Sequence, residues 1–418
     1  MLNRQIAPPF YRSTTLKLLE PVKLLCKSGL PIYLIEGGEQ EVVRIEWIFN
    51  AGKSVETKVG QSQFTAQQLD KGTTAKSSLL IAEGFEKFGA HIDVSAGNDY
   101  TTVTLYALTF HLHQVLPLVE EILHEANFPV DEFEIAKNIA LQQYQVNKEK
   151  TTFIASKQFR KALFGQHPYA NEIEDVHLHN LVQEDLRKFY QKFFTVNAVF
   201  VCGKIKKDDI KVIERLSEKL IYKNEIAKNL TENWPGAIQE HIEKQESVQS
   251  TIRFGKRVIT RNHPNFIPLL FTTHILGGYF GSRLMKNIRE EKGLTYGIFG
   301  VVQPLKQQAI LSIGADVNKE NKELTLIEIK KEINKLKTEL IGKEEFENAR
   351  NYFVGSLQSE VSTVFANSDK IKSIILNQLP LDYYQQMIDS VENIKPEDVM
   401  QIASTHYTLD EFTTITVG

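Results

Sequence analysis

The sequence predicts an α+β protein of two tandem homologous domains, each a mostly antiparallel sheet covered by helices. Three observations predict it. The segment Glu132-Phe-Glu-Ile-Ala-Lys-Asn138 recurs in the second half as Glu345-Phe-Glu-Asn-Ala-Arg-Asn351. Leu181-Val-Gln-Glu-Asp185 recurs as Ile394-Lys-Pro-Glu-Asp398 at the same displacement. Each half also runs through strands, helices, two strands, a helical run and a closing apolar strand that ends at Gly203 or Gly418. Strands grouped beside runs of helices give a layered α+β domain, and two matches at one offset mark a domain-sized duplication, not a short-period solenoid. The domains are expected at residues 1–221 and 247–418. A linker is expected at 222–246, where charged and polar residues surround Trp234-Pro-Gly236.

The elements of the first half follow from local pattern. Lys23 to Cys26 and Ile32 to Glu36 flank a Ser-Gly turn, and Val42 to Phe49 alternates as a strand does. Gly60 to Thr73 reads as a helix ending at Gly72, and Ser77 to Phe88 as a second one ending at Gly89. His91 to Ser95 and Thr101 to Ala107 pair around an Ala-Gly-Asn-Asp turn. Further helices start near Leu112, after Asp131 as N-cap, and near Phe153.

Composition narrows the function classes. At 418 residues, 42% apolar and 24% charged, the chain has enough apolar surface for a substantial core. A formal charge of -3 argues against a general nucleic-acid binder. Cys26 and Cys202 are the only cysteines, so a reducing compartment is the simplest expectation. Neither a signal-peptide stretch in Met1 to Phe10 nor an apolar run of membrane-spanning length is seen, so a cytoplasmic location is expected.

Two segments carry chemistry. On the first helix Gln63, Ala66 and Gln67 share a face, at spacings of three and four. That layout resembles the inverted zincin motif H-x-x-E-H, in which two imidazoles hold zinc and the Glu is the general base. The surrounding residues, including Lys71-Gly-Thr73, resemble the pitrilysin/insulinase family of metallopeptidases. In that frame His, Glu and His are replaced by Gln63, Ala66 and Gln67. The family's last ligand is a Glu on a later helix; the matching stretch here is Lys137 to Tyr144, with Gln142 or Gln143 at the acidic positions. A carboxamide oxygen is a weak neutral donor and Ala takes no proton, so no zinc is expected in this chain.

The second segment is Leu276-Gly-Gly-Tyr-Phe-Gly-Ser-Arg-Leu-Met-Lys-Asn-Ile-Arg-Glu-Glu-Lys-Gly-Leu-Thr-Tyr296. A helix from Gly281-Ser282 would bury Leu284, Met285 and Ile288 and stop at Gly293. Arg289 then falls in its last turn, and Tyr296 opens the next strand. The segment is similar to the Arg/Tyr motif in the second domain of pitrilysin-type enzymes, where the pair grips substrate beside the other domain's zinc. The resemblance implies two α/β rolls. It also implies that Arg289 holds a peptide carbonyl or carboxylate with its planar fork, and that Tyr296 donates to the oxygen that gains charge.

Loss of one motif with retention of the other implies a non-catalytic subunit. Its expected partner is a homologous H-x-x-E-H subunit that carries zinc, with short or unfolded peptides as substrate. A structural scaffold and a peptide-binding homodimer are the alternatives. A strand at Ala90 to Ala96 matches the one that pairs with substrate in active relatives. Phe164-Gly-Gln-His-Pro-Tyr169 resembles the family's post-helix turn and is expected to be structural. His111/His113 and His177/His179 are not expected to bind metal, because no Cys or acidic cluster completes either pair. Gly277-Gly278 lacks the Lys-Ser/Thr of a phosphate loop.

Overall fold

The computed structural model describes residues 13–224 and 234–418. The sequence readings on Met1 to Phe10, and on 225–233 of the expected linker, lie outside these. The first sheet contains β1 (Val22–Leu25), β2 (Pro31–Glu36), β3 (Val42–Phe49), β4 (His91–Ala96), β5 (Thr101–Leu108) and β6 (Val196–Gly203). Its order is β1-β2-β6-β3-β5-β4, and only β2 and β6 run parallel. The second sheet contains β7 (Gln239–Ile242), β8 (Gln249–Val258), β9 (Ile298–Pro304), β10 (Ala309–Asn318) and β11 (Thr413–Val417). Its order, β7-β11-β8-β10-β9, repeats the first sheet from β2 to β4 element for element, again with one parallel pair. The duplication is thus structural as well as sequential. Strand β7 falls inside the stretch 222–246 and pairs with β11.

Equivalent side chains hold equivalent turns. Asp185 and Asp398, related by the displacement of the sequence repeat, each accept the backbone N–H three residues earlier, from Val182 at 3.1 Å and Lys395 at 2.8 Å. These bonds satisfy orphan donors at two helix starts. The helix expected to start at an Asp131 cap begins instead at Val130, with Pro129 in the cap position. Proline's fixed φ and missing N–H suit that boundary.

The halves are joined by an exchange of helices. Helix Thr151–Phe164 of the first half packs Ala155, Phe159 and Ala162 with Ile310, Ile415 and Val417 of the second sheet. Helix Val364–Leu376, its counterpart at the same displacement, packs Ile371 with Ile35, Ile48, Ala198 and Phe200 of the first sheet. This explains why β3 is buried on both faces while edge strand β4 is alternately exposed.

Candidate functional site

Helix Gln61–Gln68 follows β3 and is fixed at both ends. Glu56 accepts hydrogen bonds from the Ser62 N–H at 2.8 Å, the Ser62 hydroxyl at 2.5 Å and the Gly60 N–H at 3.2 Å. Burial pushes the Glu56 carboxyl above its ordinary pKa, against these donors. Gln68 donates to the Glu132 carbonyl, and Phe64 meets Phe133 edge-to-face at 5.9 Å. The helix therefore buries Phe64 and Gln68 against Val130–Asn147 and turns Gln63 and Gln67 outward. It ends at Gln68, not at Gly72 as its sequence suggests. The Gly72 carbonyl instead accepts the Asn127 N–H at 3.1 Å, and Thr73 bridges Ala126.

Gln63, Ala66, Gln67 and Gln143 line one cleft of about 1030 Å³. Gln143, rather than Gln142, is the member of the later helix that lines it. Gln143 donates to Asn147 one turn on, at 3.1 Å. Strand β4 also lines the cleft, and no described strand pairs with its outer edge. Lys53 also lines the cleft; burial lowers its pKa, and its ammonium donates to the Asn171 carbonyl at 2.9 Å. The four motif positions offer three neutral carboxamides and one methyl group. Among the described residues no group of three or more His, Cys, Asp or Glu could hold a metal ion. These donors do not fit zinc, and no step through a metal is assigned to this chain.

The second motif departs from its expected helix. Met285–Glu291 is π-helical, with the Lys292 N–H bonded to the Asn287 carbonyl, five residues back. Asn287 anchors this segment. Buried, it donates to Glu328 at 3.0 Å and Glu332 at 2.6 Å, both on helix Lys322–Thr338. Lys292 and Lys335 compensate those carboxylates at 3.7 and 2.8 Å. π segments of this kind are rare and frequently lie at functional sites. Gly293 then turns the chain at φ 63°, the left-handed cap expected of it. Sequence reading had no local signal for this anchor, because its acceptors lie 41 and 45 residues downstream.

Arg289 and Tyr296 line the same groove, of about 660 Å³. The Arg289 guanidinium lies 4.6 Å from the centre of the Phe280 ring. Tyr296 is 95% exposed and precedes β9, which begins at Ile298 rather than at Tyr296. The Thr295 hydroxyl donates to the Asp316 carbonyl at 2.6 Å and ties this turn to β10. None of the residues lining this groove lines the first-half cleft.

Several remaining sequence candidates make local contacts. His111 stands at the N-cap position of helix Leu112–Glu125, with no side-chain capping bond, and packs on Phe88 and Phe110. His177 accepts the Glu174 N–H, and the ring of His179 meets the Asp175 carbonyl. Tyr169, fully buried in the post-helix turn, donates to Asp99 at 2.7 Å.

Comparison with known proteins agrees with this arrangement. The sequence profile of the insulinase family (peptidase family M16) matches residues 33–176, and that of the peptidase M16 inactive domain matches residues 180–353. The chain belongs to peptidase family M16. An uncharacterized zinc protease, YmxG of Bacillus subtilis, is 23% identical over 394 residues, spanning 92% of this chain and 95% of that protein. The non-peptidase homolog YmxG of Helicobacter pylori is 21% identical over 382 residues, spanning 88% and 87%. The crystal structure of a peptidase M16 inactive domain from Pseudomonas fluorescens shares the fold, with a TM-score of 0.88 at 24% identity over 96% of this chain and 98% of that one. As an M16 protein, the chain nevertheless contains no H-x-x-E-H sequence. No described helix is long and apolar enough to cross a membrane.

Proposed function

We propose that this M16 chain is the non-catalytic subunit of a zinc-peptidase heterodimer, lending Arg289 and Tyr296 to the active site of an H-x-x-E-H partner. One observation carries the reading. The emptied motif and the Arg/Tyr pair line separate grooves on the two halves, and the helix exchange packs those halves against each other. The pair is therefore available to serve a site outside its own chain. Arg289, held against Phe280, presents a planar donor fork to a peptide carbonyl or carboxylate. Tyr296 offers its hydroxyl to the carbonyl oxygen that becomes negative as the peptide bond is attacked. The partner supplies zinc and general base.

The test is the reconstituted pair. Tyr296→Phe is expected to lower its turnover by roughly 10²–10³ at saturating peptide. An unchanged rate with intact assembly removes that role from Tyr296.

A second reading, peptide capture without cleavage, is favoured by the edge of β4, unpaired among the described residues, beside the carboxamides of Gln63, Gln67 and Gln143. An extended peptide added to that edge would bond to the strand and meet amide groups rather than a metal. Peptide affinity in the isolated chain that is weakened by the double variant Gln67→Ala, Gln143→Ala would favour it.

A further inference from the structure

The two halves serve as internal controls for each other, and at one row of the sheets they have diverged. In the first sheet Arg44 on β3 stands beside Tyr106 on β5, and helix Val364–Leu376 seals the row. Asp369 pairs with the Arg44 guanidinium at 2.8 Å, while Phe365 packs against both Arg44 and Tyr106. In the second sheet Arg253 on β8 stands beside Gly314 on β10. Arg253 is the counterpart of Arg44: their partners on the closing strands, Ile415 and Cys202, are related by the displacement of the sequence repeat. By the same displacement Asp369 becomes Ser156 and Phe365 becomes Thr152. The carboxylate and both rings that close the first row are thus absent from the second.

The result is a half-buried guanidinium without a carboxylate. Arg253 Nε donates to Ser156 Oγ at 3.3 Å and Nη1 to the Ile252 carbonyl at 2.9 Å, while Nη2 makes no hydrogen bond among the described residues. No described carboxylate lies within ion-pair distance, and burial lowers the pKa of the group, with Asp316 only partly opposing that. Gly314 is required here: a Cβ would stand 2.4 Å from the Phe299 ring and 3.1 Å from Arg253 Nη1. Its absence lets the guanidinium lie 5.9 Å from the centre of that ring. Arg253, Phe299 and Phe280 line a pocket of about 450 Å³. Asp316 lines both this pocket and the Arg289/Tyr296 groove, so the two adjoin.

We propose that this pocket is a carboxylate subsite, in which Arg253 receives a peptide's acidic group between the apolar walls of Phe280 and Phe299. The ligand is a peptide whose carboxylate, either the C-terminal one or an Asp/Glu side chain, lies next to an apolar residue. The subsite rests on the peptide-binding reading above and adds a preference to it. Arg253 supplies the free end of a fork suited to carboxylate. Asp316, held by the Thr251 hydroxyl at 2.6 Å, is the nearby charge that limits the affinity.

The experiment is fluorescence anisotropy with short labelled peptides, using the full chain alone and in the reconstituted pair. The peptides end in Phe with a free carboxylate, end in Phe amide, or carry Glu beside Phe with an amidated end. In the wild type, loss of the carboxylate is expected to weaken binding about tenfold. Comparison of the first and third peptides identifies which carboxylate source is used. Arg253→Gln should equalise acid and amide. Asp316→Asn, which leaves Arg253 in place, should widen the difference. Equal affinities for all three peptides in the wild type would overturn the subsite while leaving peptide binding intact. Absence of binding by every peptide, alone and in the pair, would overturn the peptide-binding reading and the subsite together.

Discussion

Arg44 of the first sheet and Asp369 of the second half form a two-pronged ion pair, Nη2 to Oδ1 at 2.8 Å and Nη1 to Oδ2 at 3.3 Å. Glu46 and Lys372 extend it, with Arg44–Glu46 at 3.2 Å and Lys372–Glu46 at 2.5 Å. Arg44 and Glu46 are buried, whereas Asp369 is half exposed. This group of four alternating charges pins the exchanged helix to the sheet of the other half.

Removing one carboxylate leaves a buried guanidinium with Glu46 as its one remaining carboxylate, beside the Phe365 carbonyl. Asp369→Asn is expected to destabilise the protein by about 1–2 kcal/mol, between the values for exposed and fully buried pairs. Urea unfolding measures it. An unchanged midpoint would mean that the apolar contacts of Ile371 hold the helix unaided.

The second half repeats the layout of the first cleft but fills it. Phe271 meets Phe346 edge-to-face as Phe64 meets Phe133, which makes His274 the counterpart of Gln67. His274 is stacked on Tyr279 at 4.6 Å, and burial pushes its pKa down from 6.5 to about 4. The unfolded chain therefore binds a proton in that interval that the folded chain does not. Stability from this group is fully present above pH 6.5 and is lost as pH falls toward 4. His274→Phe should flatten the fall in the urea midpoint across this window. His124, His167 and His406, lowered in the same direction by burial, leave a residual slope. An identical pH profile in the variant would contradict the assignment.

Gly293 meets no atom within 4 Å of a built Cβ, so its requirement is conformational alone, at φ 63°. Gly293→Ala is expected to cost about 1 kcal/mol. It should also reduce turnover of the reconstituted pair by displacing Arg289 relative to Tyr296. Loss of stability with full turnover would separate the turn from the chemistry.

If Gln63, Gln67 and Gln143 occupy former ligand positions, restoring the ligands should restore the metal. The triple variant Gln63→His, Gln67→His, Gln143→Glu is expected to bind about one zinc per chain, three protein ligands being what a catalytic site uses. Elemental analysis after dialysis measures it. A folded variant that binds no zinc would show that these side chains do not converge as the cleft implies.

Much of this architecture was legible in the sequence because it rests on short-range pattern. The repeats at Glu132/Glu345 and Asp185/Asp398 sit on helix starts, and β3 to β6 fall close to where alternation and turn residues place them. The outward face of Gln63 and Gln67 follows from helical spacing, and Gly293 from its capping role. The illegible features depend on distant partners. Asn287 in the π turn bonds to Glu328 and Glu332, and Gly72, beyond the early end of the first helix, bonds to Asn127. The openness around Arg253 emerges only from the register that sets it beside Gly314 and from a helix belonging to the other half.

The most direct measurement is peptide hydrolysis and bound zinc for the purified chain alone, for an H-x-x-E-H homologue from the same organism alone, and for their mixture. The account predicts neither activity nor stoichiometric zinc for this chain alone. In the mixture it predicts zinc and turnover well above the homologue's own, with the gain abolished by Tyr296→Phe. Zinc-dependent cleavage by this chain alone, or a stable complex no more active than the homologue, would contradict it.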